Sequence, residues 1–193
     1  MPGVHIDLVH AHLRTSLGAD SGRASVTFLG AEQIDVLRFG PDADGVVRYV
    51  TAGLSRAPMT DPRVTVGDAS VGPRAELFLS LRGGRDAVSR TLAVLAAAPA
   101  VEGLVIVAGA SLDLGDALWP GAGFTSVLIG EPAGLIANLA LTGAEPVQFF
   151  PVLPMTPTEA AWKRVHGALA LEQRWLEAGT DLRDPVRRAV DLS

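Results

Sequence analysis

Ser55 stands in the stretch Val50-Thr51-Ala52-Gly53-Leu54-Ser55-Arg56-Ala57-Pro58-Met59, or VTAGLSRAPM. A serine after Gly-x at the end of an apolar run begins like a hydrolase nucleophile elbow, where a strained strand-to-helix turn exposes the hydroxyl. The elbow needs a second glycine two residues on, where this chain has Ala57, and a helix after the serine, where it has Pro58. A triad also needs a base, and His166, the only histidine downstream, falls inside an amphipathic stretch. A small serine hydrolase using Ser55 or Asp113 is therefore the minor reading. The main one is that Ser55 and Arg56 hold a loop through hydrogen bonds.

Other residues with chemical potential fare no better. His5, His10 and His12 suggest a metal cluster, yet on a helix His5 and His12 share a face while His10 lies nearly opposite. No H-E-x-x-H spacing completes a site, so a solvated or half-buried helix face is expected. SLRGGRD (Ser80–Asp86) follows a strand and opens a helix as a phosphate loop does. It lacks both glycine-rich phosphate spacings and reads as a strand-to-helix turn. No spacing forces Asp113, Asp116 and Glu131 together. Trp119, in ALWPGAGF, reads equally as a core ring or as an exposed aromatic that anchors a partner. Phe124 is the second candidate contact. No cofactor or metal site is expected.

The elements that must position these residues follow from periodicity. Ile6, Val9, Leu13 and Leu17 fall at helical spacing and predict a helix near Val4–Leu17, then a loop at Gly18–Gly22. Strands are expected at Ala24–Gly30, Ile34–Gly40 and Val46–Gly53. The Pro41–Gly45 turn should make a hairpin of the last two. Arg74–Leu81 alternates, with Ala75, Leu77, Leu79 and Leu81 on one side and Glu76, Phe78 and Ser80 on the other. A helix near Arg85–Ala98 should close before Pro99. Further strands are read at Gly103–Gly109, Phe124–Gly130 and Val147–Pro154; the proline inside the last argues for an edge or a bulge, open to a partner strand. Thr156, Pro157 and Glu159 form a capping box for a long helix to Gly179, and Asp184-Pro185 should start a short terminal helix. Strands and helices do not alternate regularly, so the fold class is α+β with a mixed or mainly antiparallel sheet.

Composition bounds the rest. The chain has 193 residues, 48% of them hydrophobic, enough for one domain over 1–193 with a true core. There is no cysteine, which excludes disulfides, thiolate catalysis and Cys-ligated metals. The net charge of −5 and pI near 5.3 disfavour nucleic acid. Lys163 is the only lysine. The first residues lack the basic and apolar regions of a signal peptide, and no apolar run reaches the roughly 20 residues of a membrane helix. A cytoplasmic location, away from membranes, is the expectation.

In order along the chain stand IDVLRFGPDADGVVRYVTAGLSRAPM, RAELFLSL, PGAGFTSVLIG and VQFFPVLPMTPTEAAWKRVHG, then DLRDPVRRAV. Together they resemble the bacterial branch of the suppressor of fused family. The residues that match its pattern are Thr51, Gly53, Ser55, Pro58 and Met59, then Arg74–Leu77 with Glu76, then Gly121–Thr125 with Gly123 and Phe124, and finally Glu159, Lys163 and Gly167. Many members carry a Gly-His pair before the Gly-Phe turn; this chain has Ala110-Ser111 after Gly109 instead. The resemblance implies an α+β domain that binds other proteins without catalysis. It implies stoichiometric occlusion of a partner, either a toxin domain, as an immunity protein, or a transcription or secretion regulator. It also implies that GLSRAPM, Arg56 included, is a structural signature.

Overall fold

The computed structural model describes residues 2–30, 32–61, 63, 71–132 and 134–193. Helix α1 (Pro2–Leu17) leads into β1 (Asp20–Val26), β2 (Ile34–Phe39) and β3 (Val46–Ala52), followed by a single 3-10 turn at Leu54–Arg56. Then come β4 (Arg74–Arg82), α2 (Val88–Glu102), β5 (Ser111–Asp113), β6 (Ser126–Ile129), β7 (Leu139–Leu141) and β8 (Ala144–Met155). Helices α3 (Pro157–His166) and α4 (Ala168–Glu177) follow. The class is the expected α+β: a mixed sheet packed with helices.

The strands run β1-β2-β3-β4-β8-β6-β5, with β7 also paired to β8. β4 and β8 run parallel, and the other pairings are antiparallel. The β2–β3 hairpin forms where the turn residues place it. Asp42 Oδ1 accepts the amides of Asp44 and Val46, and Gly45 turns the chain at φ 74°.

Both faces of the central strands are dry. Ala75, Leu77, Leu79 and Leu81 pack with Leu92, Ala93, Leu95 and Ala96 of α2. Phe78, on the second side of β4, packs with Val9 and Leu13 of α1. Glu76 is wholly buried as well. Alternation separates two faces of a strand; it does not make one of them wet, and here α1 and α2 cover both.

Several boundaries differ from expectation for identifiable reasons. β1 begins at Asp20, inside the predicted loop, and ends at Val26. Pro99 lies within α2, which ends at Gly103, whose amide closes on Pro99 O in the left-handed conformation at φ 68°. Proline removes only its own donor, so one further turn survives it. Gly103–Gly109 is not a strand; Ile106 is buried, but its amide meets Met59 Sδ at 3.3 Å. A short apolar run gives burial without giving conformation. β8 is no edge: Val147–Pro151 pairs with β4, and Val152–Met155 with β6. Pro151 stands at this changeover, where a missing donor costs least. The edges of the main path are β1 and β5.

The predicted long helix is two. The capping box forms, with Glu159 N–H donating to Thr156 Oγ1 at 3.3 Å and Thr156 N–H to Glu159 Oε2 at 2.9 Å. Gly167, at φ 91° and ψ 165°, then breaks the helix. Asp184-Pro185 makes only a turn, its carboxylate accepting the Val186 amide.

Glu159 also fastens the C-terminal segment. Arg187 Nη1 and Nη2 donate to its two oxygens at 2.7 and 3.1 Å, and Trp175 Nε1 donates at 2.9 Å. The guanidinium lies over the Phe124 and Trp175 rings, 5.0 and 5.4 Å from their centroids. Both partners are buried, and breaking such a pair costs about 3–5 kcal/mol. Arg187→Met should therefore lower unfolding stability in urea by about 3–5 kcal/mol. Thr156→Ala, which removes only the cap hydroxyl, should cost about 1 kcal/mol. Equal losses would contradict this assignment.

Candidate functional site

The last pair between β3 and β4 is Val50 with Phe78. Beyond it the strands part, and side chains take over the ladder. Thr51 Oγ1 accepts the Leu77 amide at 2.8 Å and donates to Glu76 Oε2 at 2.7 Å. Glu76 Oε1 accepts the Gly53 amide at 2.8 Å, the Ser55 amide at 3.0 Å and the Ser55 hydroxyl at 2.6 Å. Four donors thus converge on one buried carboxyl group. Burial pushes the Glu76 carboxyl above its ordinary range, and the hydrogen bonds from Gly53, Ser55 and Thr51 oppose that rise.

This carboxyl group fixes the GLS turn. Gly53 sits at φ 147°, and a Cβ there would lie 2.9 Å from Gln33 O, so only glycine fits. Arg74 clamps the turn from below, its Nη1 donating to Ser55 O at 2.7 Å and Arg56 O at 2.9 Å. The Met59 amide donates to Pro73 O at 2.8 Å, tying the end of the segment to the start of β4.

The arrangement is the reverse of a nucleophile elbow. Ser55 is fully buried. Its single hydroxyl proton goes to Glu76, so His5 Nε2, 3.0 Å from Ser55 Oγ, must be the donor in that contact and not a base. Burial, then Arg74 and Arg56, hold the His5 pKa below its ordinary value, with the Ser55 contact opposing. His166 is elsewhere, stacked on Trp162 at 4.0 Å in α3.

Beside the turn opens a groove of about 1120 Å³. Leu54, Arg56, Ala57, Pro58 and Met59 form one wall, and Ala96, Ala97 and Ala100 of α2 another. His5 and Leu8 of α1, Arg74 and Leu141 complete it. Arg56 Nε lies 3.3 Å from the exposed carboxylate of Glu32. Among the described residues Arg74 has carbonyl partners only and its buried Nε has no hydrogen bond; burial lowers its pKa.

The remaining candidates are dispersed. His12 Nε2 meets Ala137 O at 2.7 Å, and His10 Nε2 lies 3.6 Å from Asp35. The three N-terminal histidines thus have three different neighbourhoods, and the described residues hold no cluster of metal-ligating side chains. The amides of Gly83, Gly84 and Arg85 are engaged within the protein, by Gly45 O, Leu81 O and Tyr49 Oη, which leaves a strand-to-helix turn. Asp113 pairs with Arg164 at 3.1 Å, while Asp116 and Glu131 are exposed. Trp119 and Phe124 are 4% and 1% exposed, packed against each other at 5.5 Å in the main core. They are core rings and cannot serve as exposed anchors; the Pro and Gly residues around Trp119 fold its loop inward. Lys163 Nζ donates to Ser111 Oγ at 3.1 Å and ties α3 to β5. Gly123 leaves open space where a Cβ would be.

Sequence reasoning missed His5, Leu8 and the α2 alanines as parts of this site. The run of alanines in α2 is the one signal that could have found them, since small side chains leave room beside a helix.

The histidines predict a pH dependence. His10 is also held below its ordinary pKa, by burial and then Arg23, with Asp35 opposing. For a base depressed on folding, the stabilisation is complete above the unfolded value of about 6.5 and is lost as pH falls through it. The melting temperature should therefore fall between pH 7.5 and 5.5. A His5→Gln/His10→Gln double variant should fall less over the same range, the carboxylates being common to both proteins. Parallel pH profiles would refute this.

Among the described residues no helix is long and apolar enough to cross a membrane. The crystal structure of a suppressor of fused homologue from Neisseria gonorrhoeae FA 1090 superposes with TM-score 0.73 at 21% identity, covering 99% of each chain. The Sufu–Fu complex structure gives 0.69 at 12% identity, covering 96% of this chain and 91% of that one. Drosophila Suppressor of Fused gives 0.67 at 13%, covering 96% of this chain and 51% of that one. A comparison with curated proteins finds no match. The sequence profile of the suppressor of fused protein (SUFU) matches residues 30–188, and the chain belongs to that family.

Proposed function

We propose that this chain is a non-enzymatic protein-binding domain that works by stoichiometric occlusion of a protein partner, with the groove beside the GLS turn as its binding surface. One observation carries this reading: a wide groove with apolar walls whose shape is set by a buried hydrogen-bond network. Glu76, Ser55 and Thr51 are occupied in holding backbone, so no nucleophile and base stand ready for chemistry. A mostly apolar concavity with a few fixed polar groups suits recognition. That a structure of similar fold was solved as the Sufu–Fu complex supports the same reading. Two partner classes fit it: a toxin domain, neutralised as by an immunity protein, and a transcription or secretion regulator.

The test is a tagged pull-down from the native host with a photo-crosslinking residue at Ala57 or Ala100. One partner should be captured at equal stoichiometry from both positions, and its sequence would distinguish toxin from regulator. Recovery of the protein alone would overturn the proposal. So would an ester hydrolysis that vanishes in Ser55→Ala.

A further inference from the structure

Among the described residues, the groove contains a charge without a counter-charge. Arg56 faces Glu32, whose carboxylate lies 3.3 Å away. Arg74, on the groove floor, is the second cation of the lining, and among the described residues it has no carboxylate partner. Its Nη1 is held by two backbone carbonyls, which fix the guanidinium in place, while Nε is buried and unbonded. His5, the other titratable group here, is held toward its neutral form. Over the described residues the groove therefore presents one net positive charge, held in place and partly dehydrated, between the alanines of α2 and the Ala57-Pro58 wall. A desolvated cation in an apolar cleft is costly until an anion reaches it. A guanidinium binds carboxylate through directed N–H donors, which apolar groove walls do not otherwise supply.

We infer that the groove binds a partner polypeptide through an acidic side chain, with apolar residues on either side of it. The carboxylate of a partner Asp or Glu meets Arg74, with Arg56 at its flank. Its neighbours lie against Ala97, Ala100 and Leu8. The alanines of α2 leave room beside that helix, so apolar contact and not small size is what the groove asks of these neighbours. The protein's net charge of −5 would disfavour an acidic segment over most of its surface, so the local charge also confines where that segment lands.

This inference rests on the reading of the groove as a partner-binding surface, and its test is separate from the pull-down. A random-peptide phage library is selected against the immobilised full chain. The enriched peptides should carry one Asp or Glu between apolar residues. Synthesised with amide-capped ends, such a peptide should bind about 10- to 100-fold more weakly once its acid is changed to the amide. Arg74→Gln should cost a similar factor. Ala100→Trp, which fills the groove and leaves both arginines intact, should abolish binding, with its melting temperature as the check on folding. Neutral or basic selected peptides would overturn the inference, as would undiminished binding to Ala100→Trp or no enrichment at all. Binding that follows a free C-terminal carboxylate in place of the acidic side chain would also overturn it. Each of these results leaves a partner captured in the pull-down standing, so failure here and failure of the occlusion reading are distinguishable.

Discussion

A carboxyl group removed from water must find hydrogen bonds inside the protein, and Glu76 finds four of them, one at the end of β3 and three on the turn after it. Those bonds lie where the β3–β4 backbone ladder stops. Thr51 continues the ladder through its hydroxyl, and Glu76 collects the turn beyond it. The direction of the next residues is then fixed. Gly53 takes the conformation that brings its amide to the carboxyl group, Ser55 turns inward, and Arg56 to Met59 run along the rim of the groove. Leaving any one of these donors unpaired in a buried place would cost about 1–3 kcal/mol, so the turn is held as a unit.

The rest of the fold protects that unit. Covering both faces of β4 keeps solvent from Glu76. α1 serves that cover and also delivers His5 to Ser55. At the other end of the molecule a second buried carboxylate does comparable work. Glu159 caps α3, receives Trp175 and Arg187, and so fastens the irregular C-terminal residues against β8. In both places one acidic residue joins segments that are remote along the chain. An apolar side chain of similar size could fill the same space but would leave the donors without partners.

The sequence was most legible where the signal is local. The α+β class, the β2–β3 hairpin and the Thr156–Glu159 cap are each carried by residues a few positions apart. The loop-holding reading of Ser55 came from what an elbow lacks, namely Ala57 for glycine and Pro58 for a helix. What could not be read is the partner: Glu76 is 21 positions from Ser55, and His5 is 50. Trp119 shows the same limit. Its Pro and Gly neighbours allow either an exposed or an inward ring, and only packing against Phe124 decides. Lys163 and Ser111 form a contact across 52 positions, which no local spacing announces. The groove was unreadable because no single segment makes it; it needs the turn, α2 and the start of α1 together.

The central claim is that Glu76 holds the turn and, through it, the groove wall. Backbone hydrogen exchange of Gly53 and Ser55, compared between the native protein and Glu76→Leu, tests it most directly. Leucine fills the space and accepts from none of the four donors. The account predicts that both amides exchange as slowly as the sheet in the native protein. In the variant they should lose that protection, while the paired amides of β2 and β3 keep theirs. Unchanged protection at Gly53 and Ser55 would show that something other than the buried carboxyl group sets the turn.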